Sequence, residues 1–400
     1  MGNALWLICL LSPLAFYVAQ AAKHLVVFGD SYSDVGNLQR LTNGPLWSED
    51  LAVGWNASLY SFAFDGAVCD NALFSDNSTY VPSIRDQVEA YYNQQLDLDP
   101  EETIYAFWIG INDIERSFQL QDPSTSLKNT VACLSQQLKN VRKVFGSNRF
   151  IVINAPPLDR MPYFAGTDNE QSRADATNTL NTLLSREVTK LNKHHHALEL
   201  DLVDVYAMLN DMVEKPDEFG FKDATHAYWD ACQGRCTDAV DSYVWWDEIH
   251  LTGGAHRAVA NSILLSGSLE PPVSVDVTAD AQAQLEADPR FQSAQYEAKP
   301  HTDIVDKKVA EIIAAKAAES SSSSSSNDDA QLLDWDDDES DGSSFNSMYF
   351  VLTVTALLCV GFVWFARRQK RSSNLSALSG LVKNNTRGRF VPLRNMDNSV

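Results

Sequence analysis

Between Lys23 and about Ser268, short apolar runs alternate with longer amphipathic stretches, and no other feature of this 400-residue chain restricts its fold as much. Alternation of this kind is expected of an α/β domain with a parallel sheet, in which helical crossovers connect buried strands. Strands are predicted over 25–28, 104–109, 150–154 and 198–205. Helical spacing covers 126–145 and 171–191, and in the second stretch Leu180, Leu183, Leu184, Val188 and Leu191 fall on one stripe, which reads as core rather than a binding face. No internal repeat is present.

The segments flanking this region have a different character. Residues 1–22 carry no charged side chain, contain an apolar run from Ala4 to Val18 and end in the small residues Ala19, Ala21 and Ala22, the form of a secretory signal peptide. Residues 23–268 are expected to be the main folded domain. Residues 269–344 contain Pro271-Pro272, an Ala/Asp/Gln-rich stretch, a predicted helix over 302–318, seven consecutive serines (320–326) and acidic residues through Asp341; this composition predicts an acidic, Ser-rich stalk or linker. Residues 345–366 hold no charge and are long enough to cross a bilayer, which takes roughly 20 apolar residues. Arg367, Arg368, Lys370 and Arg371 follow at once, and such a cluster stays on the cytoplasmic side. The expectation is a single-pass type I membrane protein of the secretory pathway, with an extracellular or lumenal main domain and a basic cytoplasmic tail over 367–400.

Charge is divided along the same line. The tail has eight Lys or Arg against Asp397 alone, so the net charge of −22 rests on the residues before it. A strongly acidic outer part repels polyanions and argues against nucleic acid as a partner. Four cysteines lie outside the leader and the apolar segment: Cys69, Cys133, Cys232 and Cys236. They allow three connectivities. The closeness of Cys232 to Cys236 favours a local disulfide between them, which leaves Cys69 and Cys133 to each other or free. No second cysteine pair stands at ligand spacing, and His194-His195-His196 follow a helix end, where cationic side chains are favoured; no metal is expected at either place. Asn56 and Asn77 head Asn-x-Ser/Thr acceptors for glycosylation.

The chemistry lies in four short segments. The first predicted strand runs directly into Gly29-Asp30-Ser31-Tyr32-Ser33-Asp34-Val35-Gly36-Asn37, which puts Ser31 where open parallel sheets place their ligands. It is not a Gly-x-Ser-x-Gly elbow, and none occurs elsewhere in the chain. Near the domain's end, Trp245-Trp246-Asp247-Glu248-Ile249-His250 sets an Asp and a His three residues apart. A carboxylate and an imidazole so spaced can meet, fixing the tautomer and freeing one ring nitrogen to take a proton from serine. Gly110-Ile111-Asn112-Asp113 follows another predicted strand, and the amide of Asn112 can donate to a developing oxyanion; the backbone N–H of Gly66 is a further donor. Trp245 and Trp246 flank the Asp/His pair as substrate-lining or packing residues.

Taken in order, these segments resemble the four sequence blocks of the GDSL, or SGNH, hydrolases, whose Ser, Gly, Asn and His fall on Ser31, Gly66, Asn112 and His250, with Asp247 in the block of the His. Asn154-Ala155-Pro156-Pro157-Leu158-Asp159-Arg160-Met161-Pro162 resembles the strand-then-proline loop of plant and fungal members. The likeness spans Leu25 to Ala260; Leu251 departs from it, standing where many members carry proline. It implies a three-layer, flavodoxin-like α/β fold with a five-stranded parallel sheet. It also implies ester hydrolysis through an acyl-serine intermediate without a cofactor, with Ser31, Asp247 and His250 catalytic and Ser31, Gly66 and Asn112 forming the oxyanion hole. Among subfamilies the chain is most similar to fungal secreted acetylesterases of carbohydrate esterase family 16. The expected substrate is a short-chain, acetyl ester on a small molecule or oligosaccharide. A lipase or lysophospholipase is the alternative within enzymes. A catalytically idle surface-binding module is the alternative outside them, and the complete set Ser31, Asn112, Asp247 and His250 argues against it.

Overall fold

The computed structural model describes residues 21–74, 80–233, 235–275 and 280–322, all within one compact unit. Five parallel strands, β1 (His24–Gly29), β2 (Ser58–Ser61), β3 (Thr103–Trp108), β4 (Arg149–Ile153) and β5 (Glu199–Val203), pair in the order β2-β1-β3-β4-β5. Strands β3 and β4 are buried throughout, and β1 from Leu25 onward. Helices cover both faces of such a sheet, so its central strands read as unbroken apolar runs. Four-residue β2 sits at an edge and alternates in burial, so it leaves no run to detect.

The crossovers carry α1 (Trp47–Trp55), α2 (Ile84–Gln94), α3 (Ile111–Ser117), α4 (Pro123–Phe145) and α5 (Glu170–His194), and α6 (Val205–Glu214) follows β5. Helix α4 starts where Asp122 accepts the Thr125 N–H and Pro123 takes the first helical position, so neither orphan end nor strained proline opposes it. Along α5, Leu180, Leu184, Val188 and Leu191 are buried as the spacing predicts, while Leu183 is half-buried. After α6 the chain makes an excursion: β6 (Asp223–Ala227), α7 (Tyr228–Cys232) and β7 (Tyr243–Trp245), with β6 and β7 paired as a separate small sheet. It returns through α8 (Gly253–Ser266), which packs on α1. Disulfides join Cys232 to Cys236 within the excursion and Cys69 to Cys133 in α4.

The chain leaves β1 for β2 on one side and comes back to β3 on the other. Strand order therefore reverses between the carboxyl ends of β1 and β3, where an open parallel sheet forms a crevice for ligands. Both Ser31 and Asn112 follow those ends.

The packed body does not stop at Ser268, contrary to the stalk expected over 269–344. Leu269 and Val275 are buried, and Glu270 accepts hydrogen bonds from the Ala22 N–H (2.7 Å) and the Arg149 guanidinium. Beyond α9 (Asp280–Ala287), Phe291 is buried, and α10 (Ile304–Ser322) packs on α2 and α4. A polar composition suggests a free linker, but the segment is held by hydrogen bonds and a few well-placed aromatic rings rather than by an apolar stripe. Residues 323–344 lie outside the described residues.

The membrane assignment is also corrected: among the described residues no helix is long and apolar enough to cross a membrane. The long helices α4, α5 and α10 all carry charged side chains at intervals. The apolar stretch 345–366, the tail 367–400 and residues 1–20 of the leader lie outside the described residues.

Candidate active site

Ser31 is the second residue past β1, and the strand end beneath it is fixed from the side. The buried amide of Gln87 in α2 accepts from the Gly29 N–H (2.9 Å) and donates to the Gly29 carbonyl (2.8 Å), so it replaces a strand partner at the point where the chain turns. The turn closes as the Ser33 N–H donates to the Asp30 carbonyl (2.9 Å). Asp34 then gathers the loop: its carboxylate accepts from the N–H groups of Gly36, Asn37, Leu38 and Gln39 and, across the site, of Asp65. Five donors to one buried carboxylate leave that loop little freedom, since each is a charge-assisted bond in a low-dielectric setting.

The Asp/His block comes from the loop after β7, and meets this turn. His250 Nε2 lies 2.9 Å from Ser31 Oγ, and His250 Nδ1 lies 2.9 and 2.8 Å from the two oxygens of Asp247. The loop is short enough to shape itself. Asp247 Oδ1 also accepts the N–H groups of Ile249 (2.8 Å) and His250 (2.7 Å), and the Trp246 N–H donates to the His250 carbonyl (2.7 Å). Burial pushes the Asp247 carboxyl up, but the hydrogen bond and charge of His250 outweigh it and hold the group below the usual aspartate range. An ionised Asp247 accepts a hydrogen bond from the Nδ1–H of His250, which leaves Nε2 free to receive a proton from a hydroxyl.

The remaining two residues stand across the crevice. Gly66 has φ +80°, a left-handed conformation that strains any residue with a Cβ, and it follows Asp65, whose N–H is tied to Asp34. Among the described residues neither the Ser31 N–H nor the Gly66 N–H has an acceptor. The Asn112 side chain donates one amide hydrogen to the Ala67 carbonyl (2.9 Å), next to Gly66, and a primary amide has a second hydrogen to offer. Beneath them Asp113 accepts from the Cys69 N–H (3.0 Å) and the Thr130 hydroxyl (3.1 Å), so the Cys69–Cys133 bond and Asp113 both fasten this loop to α4. The arrangement can bind an anionic oxygen while a hydroxyl passes its proton to an imidazole.

Three contributors carry no sequence signal of their own. Tyr32 is buried, and its hydroxyl donates to the Ile249 carbonyl (2.6 Å), linking the residue after Ser31 to the residue before His250. The other two are Asp34 and Asp30. Burial pushes the Asp30 carboxyl up to about 8 and that of Asp113 to about 6. His256, whose ring meets Tyr32 edge-on, is pushed down to about 3 by burial and then by the nearby His250. Asp34 and Tyr32 lie in the same motif as Ser31, and their roles depend on partners 31 and 217 residues away.

Other expected residues divide between core and surface. Trp245 is fully buried with its indole N–H donating to the Ala224 carbonyl (2.9 Å), so it is packing rather than substrate lining; Trp246 is half-buried and stacks near Tyr228. Leu251 is buried, and its backbone bridges back to Trp245. Asn56 is exposed at the end of α1, and Asn77 lies outside the described residues. His194 is the last residue of α5 and His195 is buried behind it. Among the described residues, no group of three or more His, Cys, Asp or Glu is spaced to hold a metal ion.

Residues 25–263 match the profile of the GDSL-like lipase/acylhydrolase family. An acetylesterase of Thermothelomyces thermophilus is 23% identical over 275 residues, covering 61% of this chain and 87% of that protein. An acetylesterase of Hypocrea jecorina is 23% identical over 295 residues, covering 57% and 84%, and a thermolabile hemolysin of Vibrio parahaemolyticus is 22% identical over 277 residues, covering 61% and 63%. Among solved structures, a catalytic mutant of an acetylxylan esterase from Geobacillus stearothermophilus aligns at 14% identity and TM-score 0.38, covering 62% of this chain and 94% of that one. The chain belongs to the GDSL-like lipase/acylhydrolase family and is a carboxylic ester hydrolase.

Proposed function

We propose that this protein is a serine esterase that removes short acyl groups, acetyl above all, from small or oligosaccharide esters. The observation that carries the reading is the unbroken line Asp247–His250–Ser31, with spacings of 2.8 and 2.9 Å. In this scheme Ser31 Oγ attacks the ester carbonyl as His250 Nε2 takes its proton. The oxygen that becomes negative is received by the N–H groups of Ser31 and Gly66 and by the Asn112 amide. Collapse of the tetrahedral species expels the alcohol, which His250 protonates, and leaves the acyl group on Ser31. Water, deprotonated by the same imidazole, attacks the acyl-serine and releases the acid. Asp247 keeps its negative charge throughout and stabilises the imidazolium.

The acetyl preference draws its support from the two fungal relatives named acetylesterases and from the acidic surface, which disfavours anionic lipid. Turnover of acetyl, butyryl and palmitoyl esters of one chromophore, with a phospholipid control, tests it. Rates should fall as the acyl chain lengthens. Faster cleavage of the palmitoyl ester or of phospholipid would make the protein a lipase instead.

A further inference from the structure

The family match ends at residue 263, yet the chain after α9 returns to the edge of the central sheet and touches the segments that frame the site. Strand β2 is an edge strand, and Ser61 at its end donates its outward N–H to Ser293 Oγ (2.8 Å). One residue on, the Phe62 ring stacks face to face with Tyr296, centroids 4.1 Å apart and planes 16° apart. The Tyr296 N–H donates to Asn37 Oδ1 (2.7 Å), while the Asn37 amide donates to the carbonyls of Ser61 and Ala63, both at 2.9 Å. Gln295 lies over Gly36, whose φ of +115° calls for glycine; a Cβ there would come within 3.1 Å of the Gln295 amide nitrogen.

The far end of this segment is fastened to α2. The N–H and hydroxyl of Thr302 donate to Glu89 (2.7 Å each), the His301 N–H donates to Asp86 (2.7 Å), and Arg85 pairs with Asp303 and Asp306. Helix α2 is the one that holds Gly29 through Gln87. Both ends of residues 292–303 are therefore attached to elements that carry the site.

The contacts converge on one stretch, residues 61–66. On its inner side β1 holds it, with the Phe62 N–H donating to the Val27 carbonyl (2.8 Å) and the Phe64 N–H to the Gly29 carbonyl (3.2 Å). On its outer side it meets Asn37, Ser293 and Tyr296. Asn37 is also bound through its own N–H to Asp34 (2.6 Å), the carboxylate that holds the Asp65 N–H (2.8 Å). A shift of the outer layer would pass to Gly66 by two routes, through the backbone of 61–65 and through Asn37 and Asp34.

We propose that residues 292–303 are a strap that sets the position of the Gly66 oxyanion donor, with Ser293 and Tyr296 as positioning residues acting through Ser61, Phe62 and Asn37. The proposal rests on the oxyanion role given to Gly66 above. Oxyanion donors act on the transition state and must be placed closely, so a small displacement lowers kcat while leaving substrate binding almost unchanged.

The test uses the full-length chain. Ser293→Ala with Tyr296→Ala removes the hydroxyl acceptor and the stacked ring and keeps the main chain. On an aryl acetate, kcat should fall roughly 10-fold or more with KM within about twofold, while Tyr296→Phe, which keeps both the ring and the N–H, should match wild type. Wild-type kcat in a folded double variant would overturn the proposal, and so would a loss expressed in KM alone. Should the double variant not fold, Ser293→Ala alone decides: a smaller loss confined to kcat supports the strap and an unchanged kcat refutes it. Ser31→Ala assayed alongside separates the two readings. Activity retained there would defeat the catalytic scheme itself, whereas an inactive Ser31→Ala beside an unimpaired strap variant would defeat the strap alone.

Discussion

The two halves of the site are built in opposite ways. Ser31 and Gly66 stand on loops that leave the main sheet or adjoin its edge, Asn112 lies in the first turn of α3, and buried groups fasten them: Gln87, Asp34, Asp113 and the Cys69–Cys133 bond. Asp247 and His250 occupy a short loop after the three-residue β7, which pairs with β6 in a small second sheet. Here the loop's own hydrogen bonds, from Ile249 and His250 to Asp247, provide the order. A site that must hold an oxyanion needs rigid donors. A site that moves a proton needs one dyad held in one orientation, which a self-bonded loop can supply. Tyr32 joins the halves through its bond to the Ile249 carbonyl.

The largest effects should come where the halves meet. Ser31→Ala and His250→Ala each remove one member of a single unit, so each should lower kcat by about 10⁴-fold or more, and the double variant should be little worse than either. Near-multiplicative losses in steady-state assays of purified, folded proteins would show that the two halves act independently. Asp247→Asn belongs to the proton-moving half and should also cost about 10⁴-fold, through the wrong tautomer and a lost counter-charge. Asn112→Ala belongs to the other half. It should cost only about 10²- to 10³-fold in kcat, roughly 2.7–4 kcal/mol, with KM little changed.

Stability should divide the same way. By loop-closure entropy, the Cys69–Cys133 bond, spanning 64 residues, stabilises by about 4 kcal/mol and the Cys232–Cys236 bond, spanning 4, by about 2 kcal/mol. Replacing Cys69 and Cys133 by alanine should therefore lower the thermal midpoint more than replacing Cys232 and Cys236. The opposite ranking by calorimetry would mean that the excursion is the weaker, more dependent region.

Protons distinguish the halves by sign. Asp30 and Asp113 have pKa values of about 8 and about 6 when folded against an ordinary 3.8, so the native state holds their protons where the unfolded chain has lost them. Their contribution is present below about pH 4 and fades as pH rises through 6 to 8. Asp247, shifted down, contributes above its ordinary value and loses that contribution as pH falls below it. The thermal midpoint should fall between pH 5 and pH 8. Asp30→Asn should flatten that fall, and an unchanged slope in the variant would place the effect elsewhere.

What was legible in the sequence follows the same physics. Strands buried on both faces announce themselves as apolar runs, and β1, β3 and β4 lie within a residue of where 25–28, 104–109 and 150–154 place them, while the half-buried edge strand β5 lies within two residues of 198–205. That Ser31, Asp247 and His250 would meet could be read because a hydroxyl at a strand end and an Asp and a His three residues apart are distinctive residue types in short motifs. Strand β2 and the strap could not. The strand is four residues long and alternates in burial at a sheet edge, and the strap is ordered by single hydrogen bonds such as Ser61 to Ser293 and by the ring pair Phe62 with Tyr296, whose partners are more than 200 residues apart and leave no periodic trace. Asp34 was visible as a residue but not as a clamp, because the Asp65 N–H reaches it only after folding.

The central claim is that Ser31 is the nucleophile activated by His250. Treating the full-length protein with a stoichiometric aryl phosphonate ester and mapping the adduct by mass spectrometry tests it directly. One adduct is expected, on the peptide carrying Ser31, formed in step with loss of esterase activity and strongly slowed in His250→Ala. An adduct on another residue with Ser31 unmodified and activity gone, or full activity in Ser31→Ala, would contradict it.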